Sequence, residues 1–156
     1  MNRALFTIAF TAGLAACGGG SGGDVDGGSV SPDGGSAVTI QPTYTDISDK
    51  IFVKTCSTGG CHDGTSNAAS GLSLTKANGY AALVGKPTTS QFWGSSPYKN
   101  LNRVTASDAS KSALLFTLKQ PNDLSTTLWM PQAFPKLSAS AISAVETWIA
   151  NGAPNN

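Results

Sequence analysis

Apolar side chains recur at helical spacing in four stretches of this chain. From Tyr44 to Lys54, residues Ile47, Ile51 and Phe52 share one face, as apolar positions three and four apart do on an α-helix. Thr43 or Thr45 can cap its start, with Asp46 in the first turn. Lys76 to Val84 predicts a shorter helix, with Tyr80, Leu83 and Val84 inward and Gly85 closing it. Ala109 to Lys119 predicts a third. Leu114, Leu115 and Leu118 are its apolar positions, Ser107 or Asp108 its cap, and Pro121 lies beyond its end. The last starts near Ser138 and runs to Asn151, with Ile142, Val145, Trp148 and Ile149 as the inner stripe. Gly152 and Pro154 stop it. Between these lie a short apolar run, Gly71-Leu72-Ser73-Leu74, and two irregular stretches. Lys86 to Leu101 sets Pro87, Gly94 and Pro97 against Phe92, Trp93 and Tyr98, and Pro121 to Pro135 reads as loop. No alternation supports a strand, and no internal repeat is present. The pattern predicts a small all-α domain with long loops. Long loops in a small domain point to something other than protein filling its middle.

The N-terminus changes the picture. Arg3 supplies a positive start, Ala4 to Leu14 is apolar apart from Thr7, Thr11 and Gly13, and Leu14-Ala15-Ala16-Cys17 follows. This looks like a bacterial secretory signal ending in a lipobox, with residues 1–16 removed and Cys17 lipidated. The run is too short to span a bilayer. A buried helix is the competing reading, and the Gly-rich tract that follows at once counts against it. That tract, residues 17–38, has almost no apolar side chains to offset the entropy of ordering, so it reads as a flexible tether. Residues 39–156 form the remaining domain, a normal size for one core. The expected location is the bacterial cell envelope. The chain is held to a membrane by its lipid and faces the periplasm or the exterior.

Charge narrows the partners little. The chain has ten Lys and Arg against nine Asp and Glu, for a net charge of +1. Arg3 lies in the leader and Asp24, Asp26 and Asp33 in the tether, so the domain keeps nine basic and six acidic residues. The excess names no partner and gives no case for nucleic acid.

The chemistry concentrates at Cys56-Ser57-Thr58-Gly59-Gly60-Cys61-His62, where two cysteines stand beside the only histidine of the chain. A cysteine pair ending in Cys-His is the arrangement that attaches a c-type haem. The thiols form thioether bonds to the porphyrin vinyl groups and the imidazole binds iron. Four residues separate the cysteines here instead of the usual two. Vinyl separation is fixed, so a longer spacer must bulge, and Gly59 and Gly60 tolerate the positive φ that a bulge requires. Two alternatives stay open. In an oxidising compartment the pair can be a disulfide, although so small a loop stabilises little and His62 is then unexplained. Zinc would find three ligands and no other Cys or His for the fourth.

Given a haem, the sixth iron ligand follows by elimination. No second histidine exists, and Met1 leaves with the leader, so Met130 is the sole thioether of the mature chain. It precedes Pro131, which favours extended backbone at Met130. A core-filling methionine is the competing reading. His/Met ligation raises the reduction potential and fills both axial positions, which suits electron transfer. Arg103 is the best candidate to meet a haem propionate, since a guanidinium suits a carboxylate. Trp93, Tyr98 and Trp129 are weaker donors of the same kind.

The chain resembles bacterial monohaem c-type cytochrome domains of the class I type over roughly residues 45 to 154. The order of helix, Cys–Cys-His, long loops, Met-Pro loop and C-terminal helix carries the resemblance. So do Ser70-Gly71-Leu72-Ser73-Leu74, Tyr80-Ala81-Ala82-Leu83-Val84-Gly85, Arg103-Val104 and Ser112-Ala113-Leu114-Leu115. The resemblance implies that first and last helices cross and pack, with Phe52 near Trp148, and that His62 and Met130 are the proximal and distal ligands of one covalent haem c. The departure is the four-residue spacer. The expected function is a membrane-tethered single-electron carrier serving redox partner proteins, and not an enzyme. Two other classes compete with it. One is a haem sensor or peroxidase-type protein with a labile Met130, against which the lack of an acid/base pair beside the motif counts. The other is a haem-free surface lipoprotein with a disulfide or a metal.

Overall fold

Helices and irregular segments make up the computed structural model, which describes residues 39–65, 71–89, 93 and 98–156. The expected leader, Cys17 and the tether up to residue 38 lie outside the described residues, as do Ser70, Phe92, Gly94 and Pro97. The described residues belong to one unit, Ala37–Asn156.

The first element starts where the sequence predicts. Helix α1 spans Tyr44–Ile47, and the Thr43 side chain caps it by accepting the Asp46 amide at 3.3 Å. It then widens without a break into a π-helical segment, Ser48–Cys56. In such a turn the amide reaches five residues back, as the Ser57 amide does to Phe52 O at 2.7 Å. Helix α2 is shorter than expected, at Gly79–Leu83, with Gly85 in the left-handed region beyond it. Its first residue has to be small, because a Cβ on Gly79 would come within 2.6 Å of the Tyr44 hydroxyl.

The expected helix over 109–119 is split. A 3-10 turn, Ala109–Lys111, is capped by the Asp108 carboxylate and not by Ser107, and α3 begins only at Ala113, running to Lys119. Ser112 between them is extended and fully buried. Its hydroxyl accepts the Thr105 amide at 2.9 Å and donates to Asp108 O at 2.8 Å. These bonds give the backbone an alternative to a continuous helix. A second 3-10 turn covers Thr126–Leu128. Helix α4, Ala139–Ala150, is capped by Ser138 and followed by Gly152 at φ 94°. The domain is all-α, and extended pairing among the described residues is confined to isolated bridges. Asn102 is the hub of these, pairing with Pro87 and with Ser112, while Val84 pairs with Val104. Residues 102–104 are thereby strapped between the end of α2 and the start of α3.

The core sits where α4 packs on α1 and α3. Ile47, Phe52, Val104, Val145, Trp148 and Ile149 are fully buried in one cluster. Phe52 and Trp148 share that cluster, and Tyr44 touches both rings, with centroids 6.4 Å and 5.7 Å away. The chain end is tied to the same region. Trp148 Nε1 donates to Pro154 O at 2.9 Å, Tyr80 donates to Ala153 O at 2.9 Å, and Thr45 Oγ1 donates to Asn156 O at 2.7 Å. A smaller cluster joins Trp93, Ala113 at the start of α3, and Leu124 and Leu128 beyond its end.

Candidate functional site

The loop from Cys56 to His62 closes on itself. Cys56 ends the π-helical segment, and its carbonyl accepts the His62 amide at 2.9 Å. Ser57 Oγ donates to His62 O at 2.9 Å, and Cys61 donates its amide to Thr58 O at 3.0 Å. Gly59 and Gly60 both take positive φ, 51° and 83°. This is the bulge that the longer spacer was expected to need. It lets four intervening residues return the chain to its starting point.

Asp63 braces the bulge from the next position. One carboxylate oxygen accepts the Gly60 amide at 2.9 Å, and the other accepts the Thr65 amide and hydroxyl at 3.0 Å and 2.8 Å. These bonds, led by those from Thr65, hold its carboxyl below the usual range. Sequence reasoning missed this role, although Asp63-Gly64-Thr65 carries the signature of a side chain that bonds its own backbone two residues on. His62 O accepts the Leu74 amide at 2.7 Å, which pins the loop to the Leu72–Leu74 run.

The second wall comes from α3 and the loop beyond it. Ala113, Leu114, Thr117 and Leu118 present one helical face. Met130 follows the second 3-10 turn, and its amide donates to Thr117 O at 3.0 Å. Its bond to Pro131 is cis.

Between these walls lies a cavity of about 520 Å³. That is within the range of cofactor sites, about 300–1,000 Å³. Cys56, Cys61, His62, Met130 and Arg103 all line it, and leucines 72, 74, 83, 114, 118 and 128 make its surface predominantly apolar. His62 and Leu83 are buried, whereas Gly60, Thr89, Gln132, Ala133 and Phe134 are exposed, so the cavity reaches solvent on that side. Phe134 is 44% exposed at this edge.

The two cysteines are free thiols, each half-buried. Burial, and after it the neighbouring Cys61 thiol, pushes the Cys56 thiol up to about 11. It is therefore neutral at pH 7 and a poor nucleophile as it stands. Among the described residues no three Cys, His, Asp or Glu side chains converge as a metal-holding group.

Arg103 lines the cavity with its guanidinium held on both sides. Nη1 donates to Ala82 O at 2.8 Å and Nη2 to Thr89 Oγ1 at 3.1 Å. Partial burial pulls it below the usual guanidinium range. Trp93 also lines the cavity, but Tyr98 and Trp129 do not. Tyr98 donates to the Asp123 carboxylate at 2.9 Å and stacks on Phe116, with centroids 4.0 Å apart. Trp129 lines an adjoining groove with Thr126, Gln120 and Lys136, which shares Pro131, Gln132 and Phe134 with the cavity. Of the weaker donor candidates, Trp93 alone is in the cavity wall.

No protein-family model matches the chain, and no curated protein or solved structure matches it significantly.

Proposed function

We propose that the protein is a membrane-tethered monohaem c-type cytochrome that carries single electrons. The observation that carries this reading is the shared cavity. Cys56, Cys61 and His62 come from one closed loop and Met130 from a loop far downstream, yet all four line the same apolar space. Two thiols, an imidazole and a thioether are the donor set of a covalently attached, His/Met-ligated haem, and they fit it here.

On this reading Cys56 and Cys61 would hold haem c by thioether bonds, His62 and Met130 would ligate its iron, and Arg103 would meet a propionate. When bound, the haem supplies a one-electron couple, with its potential raised by the methionine. The protein's own part is to orient and to exclude water. The leucine lining lowers the local dielectric and keeps solvent from the iron ligands. The bonds from Arg103 to Ala82 and Thr89 aim its guanidinium without neutralising it, so a positive charge stands ready for a carboxylate. The exposed edge at Gly60, Gln132 and Phe134 is where electrons would pass to and from redox partner proteins. Lipid on Cys17 would hold the domain to an envelope membrane through the tether of residues 17–38.

The test is a pyridine haemochrome assay on protein matured in a host with haem-attachment machinery. The expected result is one covalent haem per chain. Protein that emerges from such a host without covalent haem overturns the proposal.

A further inference from the structure

Three hydrogen bonds tie the Met130 loop to the C-terminal end of α3. The Met130 amide donates to Thr117 O at 3.0 Å, Gln120 Nε2 donates to Met130 O at 3.1 Å, and Lys136 Nζ donates to Lys119 O at 2.6 Å. The last carbonyls of a helix have no partner within it, and here the loop fills two of them.

Gln120 is the unusual member. It sits at the helix C-cap with φ 54° and ψ 57°, a left-handed conformation that disfavours any residue with a Cβ. Glycine is the common choice at such a position. The capping bond itself, from the Gln120 amide to Phe116 O at 2.9 Å, uses backbone alone. Glycine would make it equally well and without strain. What glycine lacks is the side-chain amide that reaches Met130 O. The strain is therefore retained together with one specific contact, to Met130, which lines the cavity.

We infer that Gln120 is a positioning residue that clamps Met130 against α3. Its amide holds the Met130 carbonyl, while Thr117, itself part of the cavity wall, holds the Met130 amide. The residue is gripped at both backbone polar groups, which limits how far its side chain can swing out. The consequence for iron rests on the functional reading above, whereas the clamp itself does not.

Two variants separate clamp from cap. Gln120→Gly removes the amide and relieves the strain, and Gln120→Leu removes the amide and keeps the strain. In the purified full-length protein, exchange of the Met130 amide with deuterium should quicken about five-fold in both, the effect of one lost hydrogen bond. The Gly variant should nonetheless unfold at a higher midpoint than the Leu variant. Unchanged exchange in Gln120→Gly overturns the inference, and so does exchange that merely follows the unfolding midpoint. Carbon monoxide binding to the ferrous holoprotein should also quicken in both. Faster exchange with unchanged carbon monoxide binding upholds the clamp on the Met130 backbone and overturns its consequence for iron. Wild-type protein without covalent haem overturns the functional reading and leaves the exchange measurement intact.

Discussion

The two walls of the cavity are held in opposite ways. The Cys56–His62 wall is local. All but one of its hydrogen bonds run between residues six or fewer apart, from His62 to Cys56, Ser57 to His62 and Gly60 to Asp63, the exception being the Leu74 amide on His62 O, and glycines supply its left-handed turns. The Met130 wall is assembled from a distance. Its backbone is anchored to Thr117 and Gln120, and its left-handed residue is a glutamine that pays strain for a side-chain contact. A local loop keeps its shape when the rest of the domain loosens. A wall borrowed from a helix end depends on that helix staying in place. The difference suits a site in which one side attaches a group permanently and the other closes over it.

The sharpest way to break this comparison is to remove one residue from each wall. His62→Ala should abolish normal maturation, so that the haemochrome assay finds essentially no holoprotein. Met130→Ala should leave covalent haem in place, lower the reduction potential and open the iron to carbon monoxide. Wild-type yields of holoprotein from His62→Ala, or an unchanged potential and low-spin spectrum in Met130→Ala, would show that the walls do not divide the work in this way.

Cys56 and Met130 both pack against the larger apolar cluster, while the smaller one lies against Trp129, and the two clusters should differ in weight. Phe52 is fully buried in the larger cluster, four residues before Cys56 and on the same π-helical segment. Phe52→Ala should cost about 3–5 kcal/mol. Leu128 belongs to the smaller cluster, which packs against Trp129, and also lines the cavity. Leu128→Ala should fall nearer the low end of the range for such truncations, about 2 kcal/mol. Denaturant unfolding measures both, and equal losses would mean that the clusters act as one core.

The same contrast decides what was legible in the sequence. The Cys–Cys-His loop is a neighbourhood in the chain, so residue types and spacing revealed it, down to the positive φ of Gly59 and Gly60. Met130 was reachable only by elimination, and nothing in its surroundings named Gln120 or Thr117, because those contacts exist only once α3 and the loop meet. The helix positions were legible from the apolar stripes. The widening of the first helix from Ser48 was not, since Tyr44, Ile47, Ile51 and Phe52 satisfy an α-helical stripe as well as a wider one. The break at Ser112 was hidden for a related reason. Its hydroxyl bonds to Thr105 and Asp108, and sequence shows a serine but not what its oxygen will reach. Tyr98 and Trp129 show the limit of residue type. An aromatic ring with a donor suits a cavity wall or a surface groove, and only packing decides between them.

Backbone strain offers a finer test. Gly60 has φ 83°, and a Cβ there would meet nothing within 4 Å. Gly60→Ala therefore introduces no clash, and its cost is the left-handed conformation alone, roughly 1–2 kcal/mol. The reverse exchange on the other wall, Gln120→Gly, releases strain of the same kind. Opposite signs of strain at these two positions, read from unfolding midpoints after allowing for the lost Gln120 amide, would sharpen the comparison. A Gly60→Ala protein as stable as wild type would show that the spacer can turn without its glycine.

The smallest effect concerns whether the local wall needs its side chains at all. Ser57 Oγ donates to His62 O at 2.9 Å, but that carbonyl also accepts the Leu74 amide at 2.7 Å. Ser57→Ala therefore leaves no buried acceptor unsatisfied, and its cost should sit at the low end for a hydrogen bond, about 0.5 kcal/mol. The informative readout is local, because so small a loss barely moves an unfolding midpoint. The His62 amide, bonded to Cys56 O, should exchange about two-fold faster, in step with that energy. If its exchange does not change, the backbone bonds and the Asp63 carboxylate hold the loop by themselves. Asp63→Ala should then quicken exchange at the Gly60 and Thr65 amides, where the carboxylate is the acceptor.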